Sequence, residues 1–265
     1  MDTNKTSTDV EQTKDEFISL ISHELRSPLS AIKGLVSMLL HGDYGDVSDR
    51  MRAPLTNVYT SAVRQIRLIN ELLNISRLKE GRIRYTVSSF LPQTIVQQVL
   101  ATYEPQVRLK RITLTSDPGE QVMLQADDLW LKEILDHLIS NAVTFTEKGS
   151  VHISYRYDAE QVALVVTDTG VGINPQQQER LFGKFEQMIT KEHGKGIGSG
   201  LGLFISREIA KKMGGDVVLL QSIPGQGSTF AVTLPRVGTT RAQQAQQNLE
   251  KLNEIALNKK VGNTG

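Results

Sequence analysis

The chain contains no cysteine, which excludes disulfides, thiolate catalysis and cysteine-ligated zinc or iron–sulfur centres, and permits a reducing, cytosolic setting. It also lacks an apolar run of roughly 18 residues, the length a bilayer-spanning helix needs. Because the first 16 residues are polar, neither a direct membrane span nor a secretory signal is expected. Charge of one sign is missing too: 30 Lys+Arg stand against 29 Asp+Glu, so the overall balance recruits neither nucleic acid nor an anionic membrane. These absences leave a cytoplasmic protein without a nucleic-acid partner as the expectation. What is present is length. At 265 residues, and with about 150 per domain as a guide, the chain has material for about two compact units.

Residues 1–14 form a polar lead. From Phe17, the apolar positions Ile18, Ile21, Leu25, Ile32, Leu35 and Leu39 follow heptad-like spacing, predicting a long amphipathic helix with a narrow seam. Two glycines and the potential N-caps Asp46 and Ser48 mark a turn over 41–48, after which Leu55, Val58, Ala62, Ile66, Ile69 and Leu73 carry a second helical stripe to about Leu78. Residues 15–80 thus read as an antiparallel helical hairpin. Its narrow stripes bury too little alone, so the expected state is a homodimer forming a four-helix bundle, with packing onto the C-terminal domain as the alternative.

Near Gly81 the pattern changes, and 81–86 read as a linker. Within 87–236, alternation in Val151–Tyr155 and Val162–Val166, and again in Val217–Leu220 and Thr229–Leu234, predicts antiparallel hairpins. Helical stretches are expected near Leu91–Tyr103, Leu129–Phe145 and Gly202–Met213. The fold class is α+β: the hairpin, then an α/β sandwich with a mixed sheet and helices on one face. Residues 237–265 read as a partly helical, frayed tail with Leu249, Leu252 and Ile255 as its stripe.

Two clusters carry chemistry. In the first, heptad spacing places His23 on the outer face of its helix, where a neutral imidazole, with pKa near about 6.5, is a ready nucleophile. Glu24 stands beside it to hold a ring nitrogen. Pro28 removes the backbone donor to the carbonyl of Glu24, predicting a local bend. The second cluster is glycine: Gly170, Gly172, Gly194, Gly196, Gly198, Gly200 and Gly202, with a helix start after Gly200, offer backbone N–H groups to phosphate oxygens. No register fits Gly-x-Gly-x-x-Gly, and neither Gly183-Lys184 nor Gly194-Lys195 precedes Ser or Thr, so Rossmann and Walker loops fail. Asp168-Thr169-Gly170 would also suit an aspartic-protease carboxylate. His41, His152 and His193 show no zinc-ligand spacing.

The segment Phe17-Ile-Ser-Leu-Ile-Ser-His23-Glu24-Leu-Arg-Ser27-Pro28-Leu29 resembles the phosphoacceptor box of two-component sensor histidine kinases. Asn141, then Asp168-x-Gly170-x-Gly172, Phe182 and Phe185, Gly198-Ser-Gly200-Leu201-Gly202, and Gly225-Gln-Gly227-Ser-Thr229 resemble, in order, the boxes of their Bergerat-type ATP-binding catalytic domain, a fold shared with gyrase. The resemblance covers residues 15–235. It implies that ATP phosphorylates His23, that Glu24 and Ser27 act beside it, and that a response-regulator receiver domain takes the phosphoryl group onto an aspartate. It implies Asp168 on the adenine amino group, Gly170 and Gly172 letting backbone approach, Phe145 near adenine, and Asn141 on Mg²⁺. Gly198, Gly200, Leu201 and Gly202 would shape the phosphate lid, Thr229 would close the base pocket, and Phe182 and Phe185 would tie the lid down. His137, Thr144 and Ser27 depart from the family's common Asn, Lys and Thr or Asn, which bears on Mg²⁺ handling, ATP affinity and phosphatase activity. The resemblance also implies a sensor or input module outside this chain. A degenerate dimeric scaffold that binds nucleotide or regulator without phosphotransfer is the alternative; a gyrase-like ATPase would want a catalytic Glu where His137 stands.

Overall fold

The structure is a computed structural model that describes residues 22, 24–186 and 199–261. It divides into two compact units, Met1–Arg82 and Ile83–Gly265. In the first, helix α1 covers 24–41 and runs unbroken through Pro28, while α2 spans Asp49–Glu80. The start of the predicted first helix, including His23, lies outside the described residues. Between the helices Gly42 and Gly45 adopt φ of 88° and 104°, angles that L side chains resist. Ser48 caps α2 through its carbonyl, which accepts from Met51 and Arg52, and not through its hydroxyl. Arg26 Nη2 donates to Asn70 Oδ1 at 2.6 Å and ties the two helices together as a hairpin. Leu25, Ile32 and Leu35, three of the seam residues, stay exposed. Gly81 ends α2 in the left-handed conformation, with Gly81 N–H bonded to Leu78 O and Arg82 N–H to Arg77 O.

The second unit is built on a five-stranded sheet of β2 (Thr113–Ser116), β4 (Ser150–Tyr157), β5 (Gln161–Asp168), β6 (Asp216–Ile223) and β7 (Gly227–Pro235), in the order β2-β4-β5-β7-β6. Only β2–β4 is parallel, so the sheet is mixed as expected. A smaller antiparallel pair joins β1 (Ser88–Phe90) to β3 (Leu124–Ala126). Helices α3 (Pro92–Lys110), α4 (Asp128–Phe145) and α6 (Gly202–Lys212) form the second layer; α5 (Pro175–Gln178) is a single turn. The helix α4 is the central one, touching α3, α6 and strands β4, β5 and β7. Its Leu131, Ile134, Leu135, Leu138 and Ile139 are fully buried, each side chain contributing about 1.5–3 kcal/mol of apolar burial. Asp127 starts α4 by accepting Trp130 N–H on one oxygen and Thr86 N–H on the other.

Two elements run longer than their local signals predict. Helix α3 continues through Pro105 to Lys110, because Val107 is buried and the Lys110 ammonium finds carbonyl partners on α4. The tail is a docked helix, α7 (Thr240–Val261), and not a frayed one. It buries Ala242, Ala245, Leu249 and Ala256, while Ile255 of the anticipated stripe faces solvent. Alanines carry too little hydrophobicity to mark a face in the sequence, yet their small size lets a helix lie close. Polar bonds fix α7 further: Arg241 Nε donates to Gly214 O and Gln125 Nε2 to Gln246 Oε1, both at 2.6 Å. No helix among the described residues is long and apolar enough to cross a membrane.

Candidate active site

Strand β5 ends in Asp168, whose side chain is only 6% exposed. Oδ1 accepts the N–H of Gly170 at 2.8 Å. Burial raises the carboxyl pKa above its ordinary value, while the backbone N–H groups of Gly170 and Ser228 act in the opposite direction. Its bonds go to backbone N–H groups, so Asp168 is arranged as an acceptor with lone pairs to spare, and not as half of a proton-sharing acid dyad. Thr229 lies on the neighbouring strand opposite Thr167, their hydroxyls 3.3 Å apart.

The loop after β5 packs backbone against backbone. A Cβ at Gly170 would overlap the carbonyl of Phe145; Gly172, at φ 65°, would strike the carbonyl of Ile223. The close approach these glycines permit is therefore to their own protein's main chain. Gly227, at φ 101°, lies against the carbonyl of Asp168 and locks the β6–β7 turn to the site. The Gly225-Gln-Gly227-Ser-Thr229 motif signals this glycine, but its role toward Asp168 depends on strand pairing that a local motif does not reveal.

Asn141 and Phe145 sit one turn apart on α4, both half-buried. Phe145 O receives Val171 N–H at 3.2 Å, joining α4 to the glycine loop. His137, one turn before Asn141, is buried, with Nδ1 2.9 Å from Ser206 Oγ of α6. This residue therefore braces the two helices. Lys110 Nζ donates to Val143 O at 2.7 Å and Thr144 O at 3.0 Å, holding the last carbonyls of α4; desolvation lowers its pKa. Neither Ser206 nor Lys110 has a local sequence signal, since both reach α4 from distant segments.

On the lid side, Gly198 lies outside the described residues. Gly200 adopts φ 72°, and a Cβ there would come within 2.6 Å of Glu186 N and O. Leu201 is buried and precedes α6, which begins at Gly202; Ser199 Oγ accepts Leu201 N–H at 3.0 Å. Phe182 lies beside α6, with the Arg207 guanidinium 4.7 Å from its ring centre. Phe185 is 65% exposed, at φ 63°. Glu24 and Ser27 are exposed on α1, whereas His23 lies outside the described residues. His41 Nδ1 donates to Ser37 O and His152 Nε2 meets Asp117, while His193 lies outside the described residues.

The donor set suits a nucleotide. A buried acceptor on β5, a hydroxyl on β7, an aromatic ring on α4 and an amide oxygen one turn earlier match base and phosphate chemistry, with Asn141 available to a hard cation that prefers oxygen.

Comparison with known proteins agrees. A family model for the His Kinase A (phospho-acceptor) domain matches residues 13–81, and one for the histidine kinase-, DNA gyrase B-, and HSP90-like ATPase matches 126–238. The circadian input-output histidine kinase CikA of Synechococcus elongatus is 34% identical over 84% of this chain; the match covers 30% of that protein, so this chain spans under a third of its relative. The crystal structure of full-length ShkA in complex with AMPPNP superposes with a TM-score of 0.65 at 28% identity, covering 83% of this chain and 46% of that one. The histidine kinase ThkA in complex with response regulator protein TrrA shares the fold, with a TM-score of 0.56 at 20% identity over 89% of this chain and 68% of that one. With a phosphoacceptor hairpin followed by this ATPase-type domain, the chain belongs to the sensor histidine kinase family of two-component systems.

Proposed function

We propose that this chain is an ATP-dependent protein-histidine kinase core, which transfers the γ-phosphoryl group of ATP to His23 and then to an aspartate of a response-regulator receiver domain. The observation that carries the reading is the Asp168 carboxylate, buried at the end of β5 beside Thr229 and joined through its glycine loop to Phe145. Such an acceptor takes the exocyclic N–H of adenine and leaves guanine, which presents a carbonyl there, unpaired. The structural likeness to ShkA in complex with AMPPNP supports a nucleotide of this class.

Residues 15–80 serve as the dimerisation and phosphotransfer hairpin and 87–236 as the catalytic domain, in a cytoplasmic homodimer. The exposed Leu25, Ile32 and Leu35 supply the seam. A neutral ring nitrogen of His23 attacks the γ-phosphorus; an N–P bond forms, the bond to the bridging oxygen breaks, and ADP leaves. Glu24 stabilises the positive charge that develops on the ring. Asn141 would hold Mg²⁺, which would neutralise phosphate charge there. Gly200, Leu201 and Gly202 start α6 where its N-terminal N–H groups face phosphate. Ser27, four residues after His23, falls by helical spacing on the same face.

Incubation with γ-labelled ATP and Mg²⁺, followed by denaturation, tests the proposal. The expected result is acid-labile, base-stable label on the wild type and none on His23→Ala. Absence of label from both proteins, with nucleotide binding intact, would favour a scaffold without phosphotransfer, the reading to which the engagement of His137 with Ser206 lends support.

A further inference from the structure

The helix α7 lies beyond both matched family segments, which end at residues 81 and 238. Near its end it grips the chain just as that chain enters the catalytic unit. Asn253 Oδ1 accepts the N–H of Tyr85 at 2.8 Å, and Asn253 Nδ2 donates to the carbonyl of the same residue at 2.7 Å. One side-chain amide thus satisfies both backbone groups of one residue, as a paired strand would. The neighbours are held as well. Thr86 N–H is taken by Asp127 at 2.6 Å, Trp130 Nε1 reaches Arg84 O at 3.4 Å, and the Tyr85 ring is buried beside Trp130.

On the other side, the end of α2 captures Gly81 and Arg82 through their N–H groups, and Arg82 Nη1 pairs with Glu80 at 2.6 Å. Between these anchorages the backbone runs from the N–H of Arg82 to the carbonyl of Arg84, with the Ile83 side chain buried. We infer that Asn253 is a positioning residue for phosphoryl transfer, confining the rotatable joint between the two units to these few torsions. This inference rests on the kinase reading, in which the catalytic unit must bring nucleotide to His23. In-line transfer rewards a narrow range of approach, and each freed residue widens that range. Asn253 acts through Tyr85, at the opposite end of α4 from Phe145, roughly 25 Å along the helix. Nucleotide binding should therefore not register its loss.

The test compares full-length wild type with Asn253→Ala, which loses both bonds, and Asn253→Asp, which keeps only the acceptor. Lys251→Ala, on the exposed side of α7, is the control. The rate of His23 labelling at saturating ATP is expected to fall about fivefold in Asn253→Ala, the order expected when one residue's backbone is released. The drop should be smaller in Asn253→Asp, and the KM for ATP should hold within about twofold. Amide exchange at Tyr85 should accelerate in both. Faster exchange with labelling at or above the wild-type rate overturns the inference, as does a KM that rises in step with the loss of rate. Should Asn253→Ala fail to fold, insertion of two glycines between Arg82 and Ile83 lengthens the joint and leaves α7 intact; unchanged labelling there also overturns it. Failure of the kinase reading is recognised separately, because the wild type itself would then carry no label, whereas an unprotected Tyr85 amide in the wild type removes the clamp whatever the labelling.

Discussion

Leu35 and Leu135 are the same residue type on amphipathic helices, yet Leu35 is 54% exposed and Leu135 is 0% exposed. The difference runs through both units. The catalytic unit closes its core within one chain, because a five-stranded sheet and three helices have faces wide enough to cover one another. Among its described apolar residues the hairpin buries Val36, Ala62, Ile69 and Leu73, while Ile32, Met51 and Val58 stay exposed as Leu35 does. The lesson is that a narrow heptad stripe leaves apolar side chains uncovered within one chain, whereas alternation combined with a broad helical face specifies an interior.

The strongest way to break this contrast is from the interior. Leu135→Ala should cost about 3–4 kcal/mol in chemical denaturation of the catalytic unit, while Leu35→Ala should change the stability of the isolated hairpin chain by less than about 0.5 kcal/mol. Next, Ile32→Glu with Leu35→Glu should weaken self-association about a hundredfold in analytical ultracentrifugation, since each buried carboxylate would be unpaired, and nucleotide affinity should not change. A smaller effect tests the site. Asp168→Asn should lower adenine-nucleotide affinity about tenfold by calorimetry, through mismatched donors.

Asp168 also carries a pH signature. Its folded pKa is raised by burial, so between the unfolded and folded values the native state binds more protons than the unfolded one. Stability from this group is present below the ordinary carboxylate pKa and is lost as pH rises through the raised value. Urea midpoints measured upward from about pH 4 should therefore fall for the wild type relative to Asp168→Asn. His137→Asn is expected to cost about 1 kcal/mol in urea denaturation by loosening the tie to Ser206.

Much of this architecture was legible in the residues. The alternation of Val151–Tyr155 and Val162–Val166 matches β4 and β5, and the helical stretch expected near Leu129–Phe145 matches α4. Asp168 and its glycines stood out because turn chemistry and spacing are local. The strands β1, β2 and β3 were not visible: each has only three or four residues and gains its identity from a partner far away in sequence. For the same reason Ser206, Lys110 and Asn253 gave no sign of what they bind. Apart from Leu249, the α7 face escaped because the rest of it is alanine, and Phe185, expected to tie down beside Phe182, faces outward at positive φ.

The pairing of β5 with β7 has a kinetic consequence. Thr167 and Thr229 are 62 residues apart, so pairing of the two strands closes a long loop that carries α6 and β6. Such long-range closure is slow compared with helix formation. The acceptor on β5 and the hydroxyl on β7 exist as one site only after that step, so nucleotide recognises the finished sheet and not its precursors. Added ATP should accordingly leave the refolding rate of this unit unchanged and retard its unfolding.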